Sequence, residues 1–278
     1  MGTSATSTTT TAGAQASGFG GELRRWRDER RLSQLDLSLV ADVSQRHVSH
    51  LETGKSMPSR AMVLRLGAAL GLPLRARNDL LRTAGFAPAY PQRRLDDADS
   101  RAIRRVLVQV LEAHEPAPAY VVDRGWNLVL ANDATARLMA MLPDPAAAAG
   151  AAGGNVLRLL LHPDGLRHHV VNIDEVRVVL LGRLRRELAE HGGADDLASL
   201  LAELEPMASG YTIRPTEPGA RDLAVPLHLR LGGMDLRFLT MIATIGAAHD
   251  VTVEELRIET LLPADDATRD TLLTLAGR

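Results

Sequence analysis

The sequence predicts two folds in series: a mainly α domain of five helices that contains a helix-turn-helix, then an α+β domain with an antiparallel sheet and flanking helices. Three observations predict this. Apolar residues recur at helical spacing behind serine caps through residues 19–89. Two runs with period-two alternation flank the pair Gly232-Gly233, the length of the tightest hairpin turn. Charge also divides along the chain. Residues 19–95 hold 14 Arg or Lys against 7 Asp or Glu, and residues 96–278 hold 18 against 27, so the halves carry +7 and −9 and together give −2.

Composition narrows the function classes. A chain of 278 residues, 45% of them apolar, can bury two cores. It has no cysteine, which removes disulfides, thiolate nucleophiles and cysteine-based zinc sites. No apolar run approaches the roughly 20 residues that cross a bilayer, and residues 1–18 lack the charged start and apolar centre of a signal peptide. The expectations are a cytoplasmic protein without a membrane partner and a disordered tail over 1–18. That tail has no Arg or Lys and so is a poor minor-groove arm.

In the basic half, residues 20–31 predict a first helix with Leu23, Trp26 and Arg27 on one side and Trp26 in the core. Residues 33–58 then read SQLDLSLVADVSQRHVSHLETGKSMP. Leu32, Leu37, Val40, Val43, Val48 and Leu51 give each of two short helices one buried stripe, with Val43 wedged at the corner. Ser33 and Ser44 stand where N-caps are needed, because their hydroxyls accept from otherwise unpaired backbone N–H groups. Ser38 is small enough for the helices to cross closely, and Asp42 suits a left-handed turn. Ser59 caps a fourth helix that runs through Leu70 and ends at Gly71; Pro73 starts a fifth that reaches Ala84-Gly85. Leu35 and Leu39 point away from Leu37 and Val40. Two readings stay open for them: chance exposure, or contact with the second domain or a partner subunit.

Breakers between 86 and 100 mark a boundary. The expected division is a tail over 1–18, a helix-turn-helix domain over 19–89, a linker over 90–103 and a second domain over 104–278. That second domain opens with an amphipathic helix over 101–114. A strand, a turn at Asp123-Arg124-Gly125, a second strand and a helix capped near Asn132 or Asp133 follow. Residues 146–154 read as an Ala/Gly loop. A long helix over 173–191 places Val176, Val179, Leu180, Leu184 and Leu188 inside and Arg183, Arg185, Arg186, Glu187 and Glu190 outside. In the hairpin, a two-residue turn sets Leu231 opposite Met234, Leu229 opposite Leu236 and Leu227 opposite Phe238, with Arg230 facing Asp235 on the other surface. His162, His168, His169 and His191 cluster near Asp164 and Asp174. Adjacent His168 and His169 point to different faces of any regular element, however, so neither a metal site nor catalysis is expected.

Residues 19–89 resemble the Xre/Cro/phage-repressor family. The carrying residues are Gln34 at the start of the first motif helix, Ser44-Gln45-Arg46 at the start of the second, and the closing element Glu52-Thr53-Gly54-Lys55-Ser56-Met57-Pro58-Ser59. Ser38 and Asp42 depart from the usual Ala and Gly. The resemblance implies a sequence-specific transcriptional regulator that contacts a double-stranded DNA operator through Gln34, Ser44, Gln45, Arg46, Ser49 and His50. Lys55 sits just after that helix, where a phosphate would pass. One such helix reads only a few base pairs, so a homodimer on two half-sites is expected.

Residues 104–266 resemble the MmyB-like ligand-binding domain, a PAS-like module, chiefly through Asp250-Val251-Thr252, Leu256-Arg257-Ile258-Glu259 and Pro263-Ala264-Asp265. Leu261-Leu262 depart from the aromatics usual in that family. The resemblance implies a small apolar ligand, a fatty acid being one candidate, and no cofactor. Leu227, Leu229 and Phe238, Trp126 and Leu128, and Val176, Val179 and Leu180 are the expected lining, with Arg177 beside it for a carboxylate head. The alternative is a solid core made of the same residues, in a constitutive regulator whose second domain only dimerises or binds a protein partner.

Overall fold

The computed structural model describes residues 18–190, 195–207 and 225–278. The tail over 1–17, His191 and the two residues ahead of Val225 lie outside the described residues. The chain divides into two compact units, residues 1–91 with 249–251, and residues 92–248 with 252–278.

The first unit holds α1 (Phe19–Glu29), α2 (Gln34–Val40), α3 (Gln45–Glu52), α4 (Arg60–Ala69) and α5 (Leu74–Thr83). Three of its five helix starts are set by serines. Ser33 Oγ accepts from Asp36 N at 3.1 Å while Asp36 accepts from Ser33 N at 2.8 Å, a reciprocal capping box. Ser44 and Ser59 cap α3 and α4 through His47 N and Met62 N. Asp42 takes φ 51° at the corner of the motif, and Ser38 is buried under it. Leu23, Trp26, Leu37, Val48, Leu51, Leu66 and Leu81 fill the core. Gly20 is required at the α1–α3 crossing: a Cβ there would lie 2.6 Å from Leu51 O. One expectation fails. Val40 is 62% exposed, because the inward stripe of α2 runs from Leu37 to Ala41, one turn apart, and leaves Val40 outside it.

The second unit continues with α6 (Arg101–Ala113), β1 (Ala119–Val122), β2 (Leu128–Ala131), α7 (Asp133–Met139), α8 (Pro145–Ala152), α9 (Val156–Leu161), α10 (Ile173–Glu190), α11 (Asp195–Met207), β3 (Leu227–Leu231) and β4 (Met234–Thr244). The chain closes with α12 (Val251–Glu255), β5 (Arg257–Pro263) and α13 (Asp266–Leu275). All strand pairs are antiparallel, in the order β2-β1-β5-β4-β3. The hairpin register is as expected: Leu227 faces Phe238, Leu229 faces Leu236 and Leu231 faces Met234. Gly232 and Gly233 turn with φ 55° and 81°, which glycine adopts without the Cβ penalty. One sheet face carries Tyr120, Val122, Phe238 and Leu261 into the main core with α9, α10 and α11. The other carries Ala119, Val121 and Ile258 against Leu107 and Leu111 of α6.

The Ala/Gly run expected as a loop is instead helix α8. Alanine has the highest helix propensity, Pro145 stands at the first turn, Asp144 accepts from Ala147 N at 2.9 Å, and Gly153 closes the helix with φ 54°. The turn before β2 is where it was expected, but the left-handed residue is Trp126, with φ 66°, rather than Gly125.

Candidate functional site

On α3 the cap and first turn present Ser44, Gln45 and Arg46 to solvent, while Val48 and Leu51 on the opposite side anchor the helix. Ser49 and His50 lie one turn on, half-buried. Lys55 is exposed just beyond the helix, its backbone N–H donating to His50 O at 2.8 Å. These residues share one surface segment of the first unit. Gln34 is placed differently: its Nε2 donates to Glu52 Oε2 at 2.8 Å, so one amide hydrogen is committed inward.

Glu52 is the residue the sequence reading undervalued. Its side chain is fully buried and joins three helices. Oε1 accepts from Arg27 Nε at 2.6 Å; Oε2 accepts from Arg27 at 3.1 Å, from Arg24 Nε at 3.4 Å and from Gln34. Burial pushes this carboxyl up, but the hydrogen bonds from Arg27, Gln34 and Arg24 and the charge of Arg27 outweigh it, and Glu52 titrates below the ordinary carboxylate value. The hydrogen bond from Glu52 in turn raises the pKa of Arg27.

The second unit holds a larger buried network. Trp126, fully buried, has the guanidinium groups of Arg183 and Arg257 over its ring, 4.4 and 4.5 Å from the centroid. Its Nε1 donates to Glu187 Oε2 at 2.9 Å. Glu187 Oε1 accepts from Arg183 at 2.8 Å and pairs with Arg257 at 2.5 Å. Arg183 also donates to Glu259 Oε1 at 3.0 Å, and Tyr120 OH donates to Glu259 Oε2 at 3.0 Å. Arg257 further holds the carbonyls of Asp123 and Arg124. Burial, then the Glu259 carboxylate, pushes the Tyr120 phenol well above its ordinary pKa. Glu187 moves down despite burial, chiefly because of the Arg257 charge. Trp126 therefore joins this polar network while its ring also belongs to the apolar core.

Of the other expected lining residues, Leu227, Leu229, Phe238 and Val176 are buried in one core, with Leu180 half-buried against it. Leu128 and Val179 are not interior; each is 46% exposed. Leu128 lies on the edge strand β2, and the inward face of α10 runs through Val176, Arg177, Leu181 and Leu184, which leaves Val179 outside it. Arg177 is buried and pairs with Asp174 at 3.4 Å. A cavity of about 220 Å³ opens elsewhere, among Leu142, Ala148, Pro163, Asp164, His168 and His169, and no expected lining residue reaches it. Among the described residues no three His, Asp or Glu side chains converge as metal ligands, and no helix is long and apolar enough to cross a membrane.

Comparison with known families agrees with this division. Residues 19–80 match a helix-turn-helix domain, and residues 103–275 match the MmyB-like transcription regulator ligand binding domain. No curated protein matches the chain. Both matched domains are those of a DNA-binding transcription regulator. The second match spans more than half of the sequence, and the chain belongs to the MmyB-like transcription regulators, with a helix-turn-helix domain ahead of its ligand-binding domain.

Proposed function

We propose that the protein is a sequence-specific, Xre-type regulator, a cytoplasmic homodimer and not an enzyme, that reads its operator with Gln45 and Arg46. Ser44, Ser49 and His50 support that reading, and Gln34 and Lys55 hold backbone phosphates. The observation that carries it is the split of α3, whose first turn is solvent-facing and polar while Val48 and Leu51 are sunk in the core. Control comes from a small apolar molecule in the second domain, a fatty acid being the leading class. Its chain runs among Leu227, Leu229, Phe238, Val176 and Leu180, and its carboxylate reaches the buried Arg177.

The first part is tested with a duplex selected from a random pool. Gln45→Ala and Arg46→Ala should each cost about 1–3 kcal/mol on that duplex and relax base preference. Retention of both affinity and preference would show that α3 does not read the bases. The ligand part is tested by titrating medium- and long-chain fatty acids while following operator affinity, since a ligand shifts the equilibrium only through unequal affinity for two states. No binding, and no mass carried through purification, would leave the constitutive reading. One observation already favours that second reading: Leu229, Leu236, Phe238, Leu157 and Leu184 form a continuous buried core.

A further inference from the structure

We propose that the outer edge of β4 joins two copies of the chain, residues 240–244 of each pairing antiparallel across a two-fold axis at Ile242. This rests on the homodimer reading above and names the surface that makes the dimer.

Strand β4 has eleven residues and β3 only five, so the hairpin ladder stops at Phe238. On the other side β5 runs along β4 from Phe238 to Thr244 with no shift in register. Two printed bonds fix which backbone groups face which way. Leu261 N–H donates to Pro118 O on the β1 side at 2.8 Å, and Ala264 N–H donates to Arg237 O at 2.8 Å. Alternation along the ladder then turns Leu239, Met241 and Ala243 toward β5, and Thr240, Ile242 and Thr244 outward. Among the described residues these three outward N–H groups have no hydrogen-bond partner. Every residue from 239 to 244 is exposed, Met241 by 58% and Ile242 by 43%.

Such an edge is a template for another strand, and sheet proteins blunt theirs with charge, proline or a bulge. Residues 238–248 read FLTMIATIGAA and contain neither a charge nor a proline. The same stretch is self-complementary. A two-fold at Ile242 sets Ile242 against Ile242 of the second copy and Thr240 against Thr244 of the second copy. Outward-facing groups thus meet outward-facing groups in about six N–H···O bonds. Side chains match as well: isoleucine meets isoleucine, threonine meets threonine, and Met241 meets Ala243 of the second copy, with no like charges opposed. Neither copy's β3 obstructs the pairing, because it ends its ladder before Thr240 in both. A foreign strand would find no charge on this edge to select it, whereas a second copy brings the matching residues in the matching order.

The full-length protein is examined by sedimentation over a concentration series. The parent should show a monomer–dimer equilibrium. Ile242→Lys opposes two ammonium groups across the axis and should raise the dimer Kd by about tenfold or more. Tryptophan fluorescence on heating shows whether that variant is folded. Cross-linking decides independently of it, because the chain has no cysteine and a single introduced one reports the register. Directly opposite residues of a hydrogen-bonded pair have Cα atoms about 5.5 Å apart, within disulfide reach, while diagonal neighbours at about 7–8 Å are beyond it. Ile242→Cys should therefore form a covalent dimer under mild oxidation, and Met241→Cys, at a more exposed position, should not. A monomeric parent overturns the homodimer reading and the edge with it. A dimeric parent that cross-links equally at 241 and 242, or whose Kd is unmoved in folded Ile242→Lys, overturns the edge alone. So does slow amide exchange at Thr240, Ile242 and Thr244 in dilute monomer, which would mean that the chain covers this edge itself.

Discussion

The two units use the same chemical device in opposite ways. Each has one tryptophan with two arginine guanidinium groups against its ring, Trp26 with Arg25 and Arg30, Trp126 with Arg183 and Arg257. Each also has a buried glutamate that gathers donors from several elements. In the first unit, Glu52 stands close enough to the surface that Arg24 and Gln34 keep donors unspent among the described residues. In the second, Glu187 and Glu259 pair with Arg183, half-buried, and Glu187 also with the buried Arg257, so the donors are largely spent inside the unit. A buried carboxylate with exposed donors leaves hydrogen-bonding capacity at the surface. One with buried donors holds a helix, a strand and a turn in one arrangement.

The sharpest way to break that comparison is Glu187→Ala. Arg183 and Arg257 would lose their shared partner, and the indole N–H of Trp126 would be left buried and unpaired. Removing one side of a buried pair costs about 3–5 kcal/mol. Urea unfolding followed through Trp126 in a Trp26→Phe background should show that loss, and a change under about 1 kcal/mol would mean the network is not closed.

Acid should expose the same chemistry in both units. Glu52 and Glu187 have folded pKa values below the ordinary 4.5, so each contributes stability that is fully present above that value. The contribution is lost as pH falls through the lower folded value. Both unfolding transitions should therefore move down below pH 4.5 and stay level with respect to these groups near neutrality. Glu52→Gln should flatten the acid branch of the first transition only, and a flattening of both would mean that the two units do not unfold separately.

How much of this was legible follows from how local the signals are. The N-cap at Ser33, the left-handed Asp42 and the register set by Gly232-Gly233 depend on residues close in sequence, and the structure repeats them. The Trp126–Glu187 bond joins residues 61 apart, and Tyr120–Glu259 joins residues 139 apart, so no spacing in the sequence announces either. Helical spacing alone puts Glu187 on the outer face of its helix, where charge usually lies. Apart from Arg183 one turn back on the same helix, its partners come from β5 and from the turn before β2, which periodicity within one helix cannot reveal. Leu197, Leu200 and Leu204 of α11 do recur at helical spacing and are buried, a stripe that the sequence reading passed over.

A smaller effect sharpens the comparison on the side of the first unit. Gly20→Ala puts a Cβ 2.6 Å from Leu51 O and 2.7 Å from Glu52 O, both backbone atoms that cannot step aside. Forcing α1 away from α3 should cost about 1–3 kcal/mol, the usual range for overpacking. It should also shift Glu52 and the Gln34 amide that it holds, so mixed-sequence DNA affinity should fall along with stability. Full affinity in a destabilised variant would separate the Glu52 cluster from DNA binding.

The smallest effect concerns α8, the helix that the sequence concealed. Helices α2, α3 and α4 of the first unit each have both buried apolar residues and a serine cap; α8 is PAAAAGAA, with only Ala148 and Ala152 buried. Its start therefore depends on Asp144, whose carboxylate accepts from Ala147 N. Asp144→Ala should cost about 1 kcal/mol by loss of the cap. Because little packing holds α8, that loss should act on the helix before it acts on the domain. Amide exchange in residues 145–152 should accelerate while the midpoint of the Trp126 transition barely moves. An equal loss in both readouts would mean that α8 unfolds only with the whole unit, and that the two buried alanines anchor it as firmly as the leucine stripes anchor α3.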